Sequence, residues 1–173
     1  MADVLPDPPP FEGQRWSNRR LDYEQHQVLY ESYIDSLEAE GIVTDGRLSF
    51  RDSMSQSGRL VQVNLSGFLV TANGARVFVN EWLDIVHERG RPTVQTREYD
   101  YHARLVVGPG RGQDLFRFDN SHGDLDTLHK HFFDVDGREY ENRPITLEEM
   151  PGLSQVIREA EFYASYLRQL RGS

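Results

Sequence analysis

The sequence predicts an α+β fold, an antiparallel, meandering β-sheet of about five or six strands packed with an N-terminal and a C-terminal helix. Three observations carry this. Apolar residues recur at spacings of three and four over roughly residues 21–40 and again from Leu153 to Leu170, the period of an amphipathic helix. Between these stretches the period changes to two, as in half-buried strands. The strand-like runs are separated only by Asn73-Gly74, Arg89–Pro92, Gly108–Gly112 and Asp136-Gly137, connections so short that neighbouring strands must be antiparallel.

Each element has a local cause. Residues 1–19 read as a flexible proline-rich arm, and 20–173 as a single α+β domain. Asp22 followed by Gln25 resembles a capping box. Leu29, Tyr30, Tyr33, Ile34 and Leu37 then form one apolar stripe, and Gly41 stops the helix. Leu48 and Phe50 alternate before a serine-rich loop, Arg51–Gly58. Val61, Val63 and Leu65 alternate with polar residues, and Asn73-Gly74 turns the chain into Val77–Val86. Further strands follow at Val94–Val107, Leu115–Asp119, Leu128–Phe133 and Arg138–Asn142. Thr146 with Glu149 forms a second capping box, and Pro151 separates it from the last helix. That helix carries the stripe Leu153, Val156, Ile157, Ala160, Ala164, Leu167 and Leu170, with Gly172 at its end.

Composition narrows the function. At 173 residues the chain can bury a core of its own, and without cysteine it has no disulfide framework, thiolate metal site or thiol nucleophile. A net charge of -9 disfavours non-specific binding to DNA or to a membrane surface. Met1–Pro10 lacks the basic and apolar regions of a secretory signal, and no stretch reaches the ~18 apolar residues of a membrane span. A cytoplasmic protein with no membrane partner is the expectation.

Chemistry concentrates in residues 115–133. His122, His129 and His131, three of the six histidines, lie there with Arg117, Asp119, Asn120 and Lys130, the one lysine among nineteen basic residues. Alternation along strands points Arg117 and Asp119 one way, and His129 and His131 one way. Register decides whether the two sets meet. If they do, His129 and His131 can divide acid and base work, Asp119 can orient a histidine, and Arg117 and Lys130 can neutralise a phosphate. That is the equipment of a metal-independent ribonuclease needing no cofactor. Alternatively, His122, His129 and His131 hold a divalent transition metal that activates water in a phosphate-ester hydrolase. A third reading makes Asp119 and Asn120 turn-formers and the histidines half-exposed edge residues.

Weaker candidates surround the hairpin. Tyr99 and Tyr101 share one strand face, and Asp100, His102 and Arg104 the other; either set can join the site from a neighbouring strand. Gly108–Gly112 is glycine-rich but opens no helix, so it reads as a hairpin turn. Glu81 and Asp84 flank Trp82 and read as solvating a strand face or edge.

The run Arg117-x-Asp119-Asn120, then His122, then His129-x-His131 resembles the TumE-like toxin family, with Tyr99-x-Tyr101-His102 matching its tyrosine-rich preceding strand. The resemblance covers roughly residues 58–170. It implies an antiparallel sheet with a C-terminal helix, and a toxin of a toxin–antitoxin pair whose partner is a cognate antitoxin. The N-terminal helix and arm, and the acidic loop Gly123–Thr127, depart from the family's pattern. Combined with the residue types, the expectation is a toxin acting on RNA. His129, His131, Asp119 and His122 would be catalytic, and Arg117, Lys130, Asn120, His102 and Tyr101 would contact substrate. The rival is a non-catalytic interaction module, possible as a homo-oligomer, that uses Tyr23, Tyr30 and Tyr33 or the C-terminal helix.

Overall fold

The structure is a computed structural model that describes residues 4–11, 21–120, 127–146 and 148–172. In chain order the elements are β1 (Leu21–Asp22), α1 (Tyr23–Ala39), β2 (Val43–Met54), β3 (Leu60–Thr71), β4 (Ala75–Glu88), β5 (Arg91–Gly108), β6 (Arg111–Asp119), β7 (His129–Phe133), β8 (Glu139–Pro144) and α2 (Leu153–Gly172). The α+β class holds, with seven strands, β2 to β8, side by side in sequence order rather than five or six. The short β1 additionally pairs with β5 at Leu21–Val94 and Asp22–Thr93. The serine-rich stretch does not begin a loop at Arg51: β2 continues to Met54, with Asp52 opposite Val63 and Ser53 opposite Gln62. Ladder hydrogen bonds hold polar side chains in a strand that alternation alone does not reveal.

The helix signals act as read. Asp22 accepts a hydrogen bond from the Glu24 amide at 3.1 Å and caps α1. At the other end, Gly41 takes φ +71°. This lets the Gly41 amide reach Glu38 O at 2.9 Å and the Ile42 amide reach Leu37 O at 2.9 Å, the paired bonds of a Schellman stop. Glu149 receives the Thr146 amide at 2.8 Å and hydroxyl at 3.0 Å, and α2 starts after Pro151.

Both helices contribute to one core on one face of the sheet. Leu65, Leu69, Val77, Val79, Tyr101, Ala103, Leu115, Phe116 and Phe118 from the strands meet Leu37 from α1 and Val156, Ile157, Ala160, Tyr163, Ala164 and Leu167 from α2. Polar contacts fix both helices against the sheet. Glu161 of α2 receives the amide and side chain of Asn73 at 3.0 and 2.6 Å, and Arg168 donates to Asn73 O at 2.6 Å, clasping the β3–β4 turn. Glu81 does not solvate a strand face. It is buried beneath α1 and accepts hydrogen bonds from Tyr30, at 2.7 Å, and Tyr101. Burial pushes its carboxyl upward, against the lowering effect of those two hydroxyls.

Within the stretch read as a flexible arm, residues 4–11 touch the domain. Val4 bridges to Asp134, Phe11 packs edge-on against Phe162 at 6.4 Å, and Gln155 donates to Phe11 O at 3.4 Å. Among the described residues no helix is long and apolar enough to cross a membrane.

His26 lies buried in α1 beside the rings of Tyr30, at 4.8 Å, and Phe50, at 6.3 Å. Burial lowers its pKa to about 4 from 6.5. Between those values the unfolded chain binds a proton that the folded chain refuses. Stability is therefore fully present above pH 6.5 and falls with pH, by at most about 1.4 kcal/mol per unit. Urea titrations at neutral and mildly acidic pH are expected to show this loss in the wild type and a smaller loss in His26→Leu; equal losses would remove His26 as the cause.

Candidate functional site

Both helices pack on one face, so the other is free of them, and the register decides what gathers there. Across β6 and β7, Arg117 pairs with His131 and Asp119 with His129, so all four share the uncovered face. On the other side of β6, His102 pairs with Arg117 and Asp100 with Asp119. One cross-strand row therefore runs Phe68, Phe78, His102, Arg117, His131, Asn142.

Asp119 is the hub. Its Oδ2 lies 3.0 Å from His131 Nε2 and 3.0 Å from Arg117 Nε, and its side chain is nearly inaccessible to solvent. Arg117 also donates through Nε and Nη2 to Asp100, both at 3.1 Å, a two-point clamp that fixes the guanidinium plane. His131 Nδ1 faces Glu139 Oε1 at 3.1 Å. A neutral imidazole donates to only one of those two carboxylates, whereas an imidazolium donates to both.

A second arrangement repeats the first. Asp114 Oδ1 lies 2.7 Å from His102 Nε2 and 2.8 Å from Arg104 Nε. Each is an aspartate of β6 joining one histidine to one arginine. Strict alternation forbids this, because Asp114 and Arg117 are three residues apart and belong on opposite faces. The register shifts between Ala103, opposite Phe116, and Arg104, opposite Asp114, leaving Leu115 as a bulge. Leu115 and Phe116 are consequently both buried, and both aspartates reach the uncovered face.

Several predicted ligands lie elsewhere. Lys130 points to the helix side, buried and paired with Glu159 at 2.7 Å, its ammonium 4.8–5.6 Å from the ring centres of Phe116, Phe118 and Phe132. It does not join Arg117, because alternation places it opposite to His129 and His131. Tyr101 also faces the helices and spends its hydroxyl on Glu81. Asn120 is wholly buried and completes the ladder: its side chain accepts from the Tyr99 amide at 2.8 Å and donates to Arg97 O at 3.0 Å. Arg97 is the extra residue where β5 bulges against β4, so Asn120 satisfies a carbonyl the regular ladder would miss. All three side chains are engaged within the fold, away from the face that carries Arg117.

His129 joins the face but makes no side-chain hydrogen bond among the described residues. His122 lies outside the described residues; among the described residues no cluster of three or more His, Asp or Glu has the geometry to hold a metal ion. Sequence reading missed Asp114 and Glu139. The signal for Asp114 was the adjacent apolar pair Leu115-Phe116, which breaks the two-residue period.

No family model, curated protein or solved structure matches this chain.

The position of Lys130 has a measurable consequence. Glu159 is held up by burial and pulled down by Lys130. Lys130→Met is expected to cost roughly 3 kcal/mol in chemical denaturation by stranding that carboxylate. The double variant Lys130→Met/Glu159→Leu should recover most of the loss. A phosphate ligand on the uncovered face would show neither the cost nor the recovery.

Proposed function

We propose that the chain is the toxin of a toxin–antitoxin pair, acting in the cytoplasm as a metal-independent ribonuclease whose centre is the row His102, Arg117, His131. The single observation that carries this reading is the placement of Arg117 between two histidines, each oriented by its own aspartate. Strands lie about 4.8 Å apart, so the two histidines straddle Arg117 over roughly 10 Å, room for one phosphodiester between them.

The two imidazoles are held differently, and this divides the work. With Nε2–H given to Asp114, His102 keeps a lone pair on Nδ1, which makes no bond among the described residues. It takes the proton from a ribose 2′-hydroxyl. The freed oxygen attacks phosphorus, and the bond to the 5′-oxygen breaks. Held on Asp119 through Nε2, His131 returns a proton to that leaving oxygen from Nδ1 once the exposed Glu139 swings off it, and the product is a 2′,3′-cyclic phosphate. Arg117 Nη1, not used by either aspartate, faces the charge that builds on the phosphoryl oxygens. His129, opposite Asp119, borders the same space.

The resemblance of Arg117-x-Asp119-Asn120 and His129-x-His131 to TumE-like toxins supports the biological setting, and with it a cognate antitoxin. The carboxylates Asp100, Asp114, Asp119 and Glu139 favour an antitoxin that presents basic residues to this face.

Expression of the wild type under tight control is expected to arrest bacterial growth, and purified protein to cut single-stranded RNA in the presence of EDTA, leaving cyclic phosphate ends. His102→Ala and His131→Ala should each lower the rate by about 10²–10⁴ at unchanged folding. Growth arrest by both variants at wild-type strength would show that the chain acts by binding instead.

A further inference from the structure

Towards β3 and β4 the uncovered face continues into a patch of which the proposed chemistry uses only His102. Two rows meet there. One carries Phe68, Phe78 and His102, rings spaced 6.3 Å apart in turn. The other pairs Arg76 with Arg104 across β4 and β5. Arg76 lays its guanidinium over Phe68 at 4.7 Å, and its Nε is buried without a hydrogen-bond partner among the described residues. Phe78 is among the large apolar side chains left exposed.

The β5–β6 turn closes this patch. Arg76, Phe78, Arg104 and Arg111 line a groove of about 170 Å³ whose remaining wall is Val106, Gly108, Gly110 and Gly112. At Gly112 a Cβ would stand 3.2 Å from the Arg104 guanidinium that lies across it, so a side chain there would displace the arginine. On the other side of the turn, Arg104, Arg111 and Arg171 border a second groove with one carboxylate, Asp136. A chain of net charge -9 thus gathers four arginines around one turn, beside bare aromatic rings.

We infer that this patch is the binding track for single-stranded nucleic acid, with Arg76, Arg104 and Arg111 on the phosphates and Phe78 under a base. The inference deepens the reading given above, since the track lies on the same face and leads to Arg117. From Arg104 to His131 is two residues along a strand and two strands across, roughly 12 Å. Arginines follow the backbone and an aromatic ring accepts any base, so the track selects single strands rather than a sequence. A duplex hides its base faces and gains nothing from Phe78.

Fluorescence anisotropy with a labelled single-stranded oligodeoxynucleotide tests it. Without a 2′-hydroxyl this probe is bound but not cut, so the result is independent of cleavage. The full chain should bind it at low salt more tightly than it binds the duplex. Arg111→Ala, on an exposed turn where folding is not at stake, and Phe78→Ala should each weaken binding about tenfold. Arg111→Ala should also lower the slope of log affinity against log salt by about 0.7. No binding by the wild type, unchanged affinity in both variants, or equal displacement by a polyglutamate peptide would overturn the track. Binding with these losses but no RNA cleavage would leave the track standing and remove the ribonuclease reading. Cleavage with no dependence on Arg111 or Phe78 would do the reverse.

Discussion

Because Ala103 pairs with Phe116 while Arg104 pairs with Asp114, β6 contains one residue, Leu115, for which β5 has no counterpart. A strand is a two-state device: each residue faces one side or the other, and an insertion of one exchanges the sides from there on. Before the bulge, Asp114 reaches the uncovered face. After it, Arg117 and Asp119 do, and β7 then presents His131 to the same side. Without the offset, Asp114 would face the core with its charge unpaired, or Arg117 and Asp119 would. The whole polar arrangement, and the burial of Phe116 and Phe118 under α2, rests on that single extra residue.

Much of the fold was legible because its signals are local. Caps, the Asn73-Gly74 turn and the two periods identify helices and strands without reference to anything distant. The convergence of Arg117, Asp119, His129 and His131 could be framed from alternation, but only pairing decides it. What escaped has a common cause: it depends on which partner a residue meets. Lys130 has the composition of an active-site cation and the position of a core residue. Asn120 has the look of a ligand, yet it closes a bulge that the sequence does not reveal, since the carbonyl it serves belongs to Arg97, twenty-three positions earlier. Glu81 reads as a surface acid in a list of residues and becomes the anchor of α1 once Tyr30 and Tyr101 are brought to it.

The two faces of the sheet use charge in opposite ways. On the helix side, carboxylates are few, buried and singly purposed: Glu81 ties down α1, and Glu159 neutralises Lys130 within a ring of phenylalanines. Such groups cost desolvation and return geometric definition, because only one docking of each helix satisfies them. On the open side, Asp114 and Asp119 are shared between neighbours, so that each fixes the orientation of a histidine and an arginine at once. Arginine suits that duty better than lysine, since its planar fork can serve two acids and still present an edge outward.

The clasp on the β3–β4 turn also orders events in time. Glu161 and Arg168 belong to α2, the most C-terminal of the described elements, yet they grip Asn73, near the middle of the chain. During synthesis the strands emerge one after another and each can pair with its immediate predecessor, but their apolar side waits for α2. Leu69, Val77, Val79 and Phe116 therefore stay exposed on the nascent chain until α2 has been synthesised. A chain built this way closes its core late and all at once. A ribosome stalled before α2 would leave a sticky half-sheet rather than a partly packed domain.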